Sequence, residues 1–145
     1  MLRLSKKADY ALMAVKHLAA KASPSASARE IAEQYDIPVE LMAKVLQRLV
    51  RGGLLISTQG TRGGYTLGRP PAAMSVADVI QAIDGPFSIT ACTTDKHDCD
   101  QYTKCSIRDP LWQIKERITA TLDCVTIAEL ADEAHVVVHA AVLKR

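Results

Sequence analysis

Aromatic side chains, cysteines and long apolar runs are all scarce in this sequence of 145 residues. Only 4% of the residues are aromatic, so the core has to be aliphatic, and the abundance of Ala and Leu favours helices. Four cysteines are too few for a small scaffold that depends on disulfides. No apolar run approaches the ~20 residues of a membrane span, and the N-terminus lacks a signal-peptide pattern. We therefore expect a cytoplasmic protein with no membrane partner.

Charge is distributed unevenly along the chain. Residues 1–69 contain 11 Lys and Arg against 5 Asp and Glu, which is a net charge of +6. Residues 70–145 contain 7 against 11, which is a net charge of −4. A basic first half favours a polyanionic partner, although charge scattered over a solvated surface would give the same count. Composition alone leaves both interpretations open.

Capping and turn residues divide the chain into six predicted helices and one β-hairpin. Capping boxes, in which a Ser or Thr stands three residues before an acid, predict the starts of the second, fourth and last helices. Proline is suited to the first turns of the third and fifth helices. The signals are, in order, Ser5, Ser27 with Glu30, Pro38, strands at 54–58 and 65–67, Ser75 with Asp78, Pro110, and Thr126 with Glu129. Val136–Val138 is ambiguous between strand and helix.

This order of elements predicts a mainly α fold with a small β-hairpin. We interpret it as a winged helix-turn-helix followed by a long dimerisation helix. The predicted division is a DNA-binding domain at 1–85, a cluster-binding loop at 86–105, and a dimerisation helix with a C-terminal segment at 106–145. The long helix has more apolar surface than a small second half covers easily, which favours a homodimer. Its apolar residues are Leu111, Trp112, Ile114, Ile118 and Leu122.

One polar stripe on the third predicted helix is the best candidate for contact with DNA. Lys, Arg and Gln donate hydrogen bonds to phosphates and base edges, and Arg62 lies among glycines that let the hairpin tip approach a groove. A solvated helix has a similar stripe, but the combination of helices and hairpin favours double-stranded DNA. Leu41, Val45, Leu46 and Leu49 are predicted to face inward. The predicted DNA-binding residues are Lys6, Lys7, Pro38, Glu40, Ala43, Lys44, Gln47, Arg48, Arg51, Gln59, Thr61, Arg62 and Gly63.

Three cysteines, Cys92, Cys99 and Cys105, lie within 14 residues. Their spacing differs from the close cysteine pairs of structural zinc sites, whereas three thiolates in a loop suit an iron–sulfur cluster. Free surface thiols and a metal-free thiol sensor are the alternatives. Cys124 follows an apolar helical pattern, and we expect it to be buried. His97 lies between charged neighbours, which favours a solvated side chain over a ligand.

Several segments resemble the Rrf-type transcription regulators, the family of the IscR-like and NsrR-like iron–sulfur sensors. They are Leu4–Leu12, Gly60–Leu67, Val76–Gly85 and Thr126–Leu130, together with the cysteine triplet. The resemblance covers nearly the whole chain and is strongest to the regulators of the SUF cluster-assembly operon. It implies a homodimeric DNA-binding protein, not an enzyme. Such a protein would repress cluster-assembly genes and sense the iron–sulfur status of the cell through a bound cluster.

The resemblance also implies a ligand set. Cys92, Cys99 and Cys105 would hold a 2Fe–2S cluster in preference to a 4Fe–4S cluster. Asp9 from the other subunit would be the fourth ligand, as the matching aspartate is in NsrR-type members. His97, Asp109 and a small thiol are the other candidates for this position. Two departures are Arg108, where IscR-like members carry a histidine, and Ala43, where they carry an acidic base-reading residue, so their operator is not expected here. An iron–sulfur carrier or scaffold is the alternative from another functional class.

Overall fold

The computed structural model describes residues 3–20, 25–93 and 99–132. It confirms the mainly helical fold with one antiparallel hairpin. The helices are α1 (Lys6–Ala20), α2 (Ala28–Gln34), α3 (Val39–Arg51), α4 (Val76–Asp84), α5 (Arg108–Cys124) and α6 (Ile127–Ala131), and the strands are β1 (Leu55–Thr58) and β2 (Gly64–Leu67). Short 3₁₀ turns occupy Pro71–Ala73 and Ala91–Thr93. The segment Val136–Val138 lies outside the described residues.

An aliphatic core joins α1–α4, the hairpin and α6. Fully buried side chains in it include Ile31, Leu46, Leu49 and Met74. The predicted inward face of α3 was wrong at one position, because Met42 is fully buried while Leu41 is half-buried and lines a surface groove. Leu41 and Met42 both have helical spacing to the other inward-facing residues of α3. The 3.6-residue period of the helix, however, centres the buried face on residues 42, 45, 46 and 49.

The predicted capping residues begin three of the helices. Ser27 Oγ accepts a hydrogen bond from Glu30 N at 3.2 Å, while the Glu30 carboxylate accepts one from Ser27 N at 2.6 Å. The same reciprocal bonds begin α4 and α6. Pro38 was expected at the first helical position of α3 but is its N-cap, because its backbone is extended while its carbonyl accepts a hydrogen bond from Met42 N. Each box satisfies N–H groups that a helix end leaves unpaired.

The segment after the long helix returns to the core. Ile127 has no exposed surface, and its N–H donates to Met74 O at 2.8 Å. Val76 N donates to Val125 O at 2.9 Å in the same bridge. Helix α6 therefore packs against α1, although it belongs to the third predicted part of the chain, residues 106–145. The three-part division of the chain stays a prediction, and in this fold the last described helix lies on the first part.

Helix α5 contains no buried residue in the single chain. Ile107 before its first turn is 58% exposed, and Ile114 is 46% exposed. Cys124 is also exposed, so the expectation of burial was wrong for the single chain. The reason is that Leu122 and Val125 provide the contacts of this helix end with the core. Within the described residues, no helix combines the length and apolar character that crossing a bilayer requires.

Candidate nucleic-acid interface and cysteine segment

Helices α2 and α3 are joined by a tight turn over residues 35–38. Asp36 has a φ of +52°, a conformation that Asp tolerates better than most residues. Ile37 is buried, and its N–H donates to Ala32 O at 2.9 Å. Tyr35 Oη lies 3.1 Å from His17 Nδ1 of α1. The turn thus sets the direction of α3 and holds it beside α1.

The outward face of α3 carries the polar stripe that the sequence predicts. Glu40, Lys44, Gln47 and Arg51 are exposed, and Ala43 is half-exposed among them. Since Met42, Leu46 and Leu49 face the core, the helix is clearly two-sided. Side chains on the exposed face are free to contact a long ligand that lies along α3.

Two neighbouring grooves extend this face in opposite directions. Lys7, Lys44 and Arg51 line one groove, which connects α3 with the start of α1. Gln47, Arg51 and Gln59 line the other, which connects α3 with the hairpin. The grooves share Gln47 and Arg51, and no acidic residue lines either of them among the described residues. We call the combined area the α1–α3–wing surface, the wing being β1, β2 and their tip.

Glycines shape the tip of the wing. Gly60 has a φ of +114°, and Gly63 N donates to Gly60 O at 3.0 Å. A Cβ on Gly63 would overlap Thr58 O, so only glycine fits this turn. The tip residues Gln59, Thr61 and Arg62 are exposed. The wing therefore presents a cation on a compact backbone, as the sequence predicts.

Backbone hydrogen bonds attach the wing to the rest of the domain. Tyr65 N donates to Ala26 O at 2.8 Å, and Ala26 N donates to Tyr65 O at 3.1 Å. A Cβ on Gly64 would lie 2.8 Å from Ala26 O, so the two backbones approach closely. The segment before α2 thus fixes the wing relative to the helix-turn-helix.

Arg48 differs from the other cations of α3. Its Nη1 donates to Ile83 O at the end of α4, at a distance of 2.8 Å. The last carbonyls of a helix have no partner within the helix, so Arg48 satisfies one of them. Arg48 also lines the groove that contains Lys7 and Lys44, so its predicted contact with DNA stays a prediction. Its bond to α4 spans 35 positions and has no local signal in the sequence.

The three predicted cysteine ligands lie in the segment that joins α4 to α5, which we call the cysteine segment. Cys92 is 7% exposed, and its Sγ lies 3.1 Å from Thr90 Oγ1. Cys99 and Cys105 are half-buried, and all three are free thiols. Within the described residues, no three His, Cys, Asp or Glu side chains converge on one metal position. The ligand set of Cys92, Cys99 and Cys105 with Asp9 of the other subunit therefore stays a prediction, and His97 lies outside the described residues.

The donor atoms nevertheless suit an iron–sulfur cluster by their chemistry. Thiolates are soft ligands of the kind that iron–sulfur clusters require, and the three thiols lie close together in sequence. Asp9 lies half-buried in the first turn of α1, where its N–H donates to Ser5 O at 3.0 Å. A carboxylate would complete the set as a harder ligand.

Arg108 occupies a structural position that sequence reasoning missed. Its Nη1 donates to Tyr102 O at 3.1 Å, and its guanidinium lies 4.8 Å from the Tyr102 ring centroid. Its Nε donates to Asp109 Oδ1 at 2.8 Å. This hydrogen bond and the charge of Arg108 lower the pKa of the Asp109 carboxyl. Arg108 thus connects the cysteine segment to the start of α5.

Comparison with known proteins identifies the family. The model of the Rrf2 family, described as an iron-dependent transcriptional regulator, matches residues 4–133. The chain belongs to the Rrf2 family. The transcriptional regulator IscR of Escherichia coli strain K12 is 32% identical to this Rrf2 protein over 138 residues, which are 93% of this chain and 83% of IscR. This Rrf2 chain is therefore a DNA-binding transcription regulator, as expected, and its relatives are regulators and not enzymes.

Solved structures of Rrf2 relatives have the same winged-helix fold. CymR, the global cysteine regulator of Bacillus subtilis, is 28% identical, with a TM-score of 0.73 over 90% of this chain and 97% of CymR. The oxidised form of Staphylococcus aureus CymR is 25% identical, with a TM-score of 0.69 over 90% of this chain and 97% of that protein. In helix-turn-helix proteins the second helix of the motif lies in the major groove of DNA.

Proposed function

We propose that this Rrf2 protein is a cytoplasmic homodimer that represses iron–sulfur cluster-assembly genes and senses cluster status. The observation that carries the proposal is the presence of two features in one small chain. One is the cation-lined α1–α3–wing surface, and the other is the set of free thiols in the segment that follows α4. The cation-lined surface suits a protein that binds DNA, and the free thiols supply groups through which DNA binding would be controlled.

The α1–α3–wing surface would contact double-stranded DNA in two ways. Lys6, Lys7, Lys44, Arg51 and Arg62 would neutralise phosphates, which makes the affinity fall steeply with salt. Side chains in the first three turns of the exposed face of α3 would read base edges in the major groove. This base-reading set is Glu40, Ala43 and Gln47, while Pro38, Gln59, Thr61 and Gly63 would lie at the backbone near the ends of the surface.

Cys92, Cys99 and Cys105 would hold the cluster, and Asp9 of the other subunit would be the fourth ligand. A 2Fe–2S cluster bound there would supply a redox-active iron centre. Cys92 lies in the 3₁₀ turn Ala91–Thr93, which contacts α5, and Cys105 shortly precedes Arg108 at the start of α5. Ligation by both cysteines would therefore restrain the segment between the DNA-binding domain and α5.

The exposed apolar residues of α5 support the homodimer. Ile114 is 46% exposed, and Leu111, Trp112 and Ile118 are only half-buried in the single chain. Seventeen residues without one buried side chain are unusual for a helix in a small domain. A second α5 packed against this face would cover it, and two-fold symmetry would then present two recognition helices to DNA.

Thiol oxidation without a cluster is the second candidate. It is favoured by the similarity to the oxidised form of S. aureus CymR and by the absence of a converged metal site among the described residues. Both candidates use the α1–α3–wing surface and the same cysteines. They differ in whether iron and sulfide accompany the purified protein.

Anaerobic purification followed by visible absorbance and by iron and sulfide analysis tests the proposal. The expected result is a coloured protein, a colourless Cys99→Ser variant, and a Cys124→Ser variant that keeps the colour of the wild type. Cys124 is the matched control because it is a free thiol outside the cysteine segment. A wild-type protein without iron, whose thiol content falls when peroxide is added, would instead support the thiol sensor.

A further inference from the structure

The last turn of α4 is in direct contact with α3. Ile83 O accepts the hydrogen bond from Arg48 Nη1 at 2.8 Å. One residue earlier, Ala82 packs against the end of α3, where a Cβ added to Gly52 would lie 3.0 Å from Ala82 Cβ. These two contacts leave little space between the helices. A displacement of this turn would therefore change the position of α3, because packed interiors transmit strain.

The same turn also contacts the start of α1. Ser5 Oγ donates to Asp84 Oδ1 at 2.7 Å and accepts from Ala8 N at 3.1 Å, so the N-cap of α1 is attached to α4. Consecutive residues 82–84 thus hold two elements of the α1–α3–wing surface. Gly85 follows with a φ of +82° and ends α4, and the cysteine segment begins after it.

The beginning of the cysteine segment packs beside this turn. Phe87 and Ile89 line a cavity of about 470 Å³ that Asp84 and Leu4 also line. Cys92 follows and is buried. Only seven positions separate Gly85 from Cys92. A rearrangement that involves the Cys92 thiol is therefore close in sequence to the end of α4, and Phe87 and Ile89, which lie between them, line a cavity together with Asp84.

We propose that the last turn of α4, residues 82–84, transmits the state of the cysteine segment to the DNA-binding surface, with Arg48 as the positioning residue on α3. The proposal rests on the function proposed above, whether a cluster or thiol oxidation defines the state. A cation near the C-terminus of a helix is also favoured by the helix dipole, which suits Arg48 to this role. Arg48 then acts through its contact with α4, while Lys44, four positions earlier on α3, contacts a DNA phosphate.

The test compares Arg48→Met, Gly52→Ala and Lys44→Ala in the full-length protein. DNA affinity for the chain's own promoter is measured by anisotropy, at several salt concentrations, for anaerobic protein before and after iron chelation or peroxide treatment. Arg48→Met removes the hydrogen bond but keeps an apolar stem, and Gly52→Ala pushes α3 from α4 without any change of charge. Circular dichroism checks folding, and Asp84→Ala replaces Arg48→Met if that variant does not fold.

We expect the wild type to differ between the two states by a factor of roughly 5–150. Arg48→Met and Gly52→Ala should bring this ratio close to one, and Gly52→Ala, which changes no charge, should keep the wild-type salt slope. Lys44→Ala should keep the ratio and reduce the slope by about 0.9 for each subunit, which is about 1.8 for the proposed homodimer. A retained ratio in Arg48→Met and Gly52→Ala would overturn the role of the α4 turn while leaving the proposed function intact. A wild-type ratio of one would overturn the sensing function itself.

Discussion

Replacement of Ile127 by Ala should destabilise the DNA-binding domain although residue 127 follows the long helix. Ile127 has no exposed surface, and it joins a core that α1 and α4 share. The substitution removes three carbon atoms, each of which is worth about 0.8 kcal/mol when buried. The cavity left behind adds to this loss, so we expect the free energy of unfolding to fall by about 2–5 kcal/mol.

Urea unfolding followed by circular dichroism measures this loss. With an m-value of about 2 kcal/mol per molar, a loss of about 3 kcal/mol lowers the midpoint by about 1.5 M. Ile56→Ala is the matched control, because Ile56 lies on β1 and is 54% exposed. It should change the free energy of unfolding by no more than about 0.5 kcal/mol. Protein concentration has to be equal in all samples, since dimerisation shifts the apparent stability.

Equal midpoints for Ile127→Ala and Ile56→Ala would refute this reasoning. That result would mean that α6 does not belong to the core around α1 and α4. The hydrogen bond from Ile127 N to Met74 O would then contribute little to the stability of the domain, and α6 would detach without unfolding it.

Four further predictions concern single substitutions. Arg62→Ala should weaken binding to every DNA sequence and reduce the salt slope by about 0.9 for each subunit, about 1.8 for the proposed homodimer, as measured by anisotropy, and an unchanged slope would exclude a phosphate contact. Gly63→Ala should lower both the DNA affinity and the unfolding midpoint, because the new Cβ overlaps Thr58 O and distorts the wing, and an unchanged DNA affinity would contradict a role of the wing in binding. Thr126→Ala should lower the free energy of unfolding by about 0.5–2 kcal/mol through loss of the α6 cap, and a neutral result in urea would contradict the capping box. Asp9→Ala should shorten the lifetime of the visible absorbance under anaerobic conditions, and an unchanged lifetime would remove Asp9 from the ligand set.

Local signals explain why most helix starts were predictable from the sequence. A capping box involves only two side chains and two N–H groups within four residues, so Ser75 with Asp78 carries the information by itself. Only glycine fits at Gly63, and the glycines around Arg62 marked the tip of the wing in the same way. The stripe on α3 needed only the helical period.

Contacts between distant elements explain what the sequence did not reveal. The bond from Arg48 to Ile83 O depends on how α3 packs on α4, and nothing near residue 48 indicates it. Arg108 was treated as a missing ligand, whereas it pairs with Asp109 and contacts Tyr102. Cys124 was expected inside because its neighbours are apolar, but Leu122 and Val125 make the contacts with the core.

The central claim is that the cysteine segment controls DNA binding by the α1–α3–wing surface. The most direct measurement is the affinity of anaerobically purified wild type and Cys99→Ser for the chain's own promoter, in the same buffer and with iron and sulfide determined on the same samples. We predict that the wild type carries iron and sulfide, that Cys99→Ser does not, and that their affinities differ by a factor of roughly 5–150. Equal affinities in the two proteins would contradict the account.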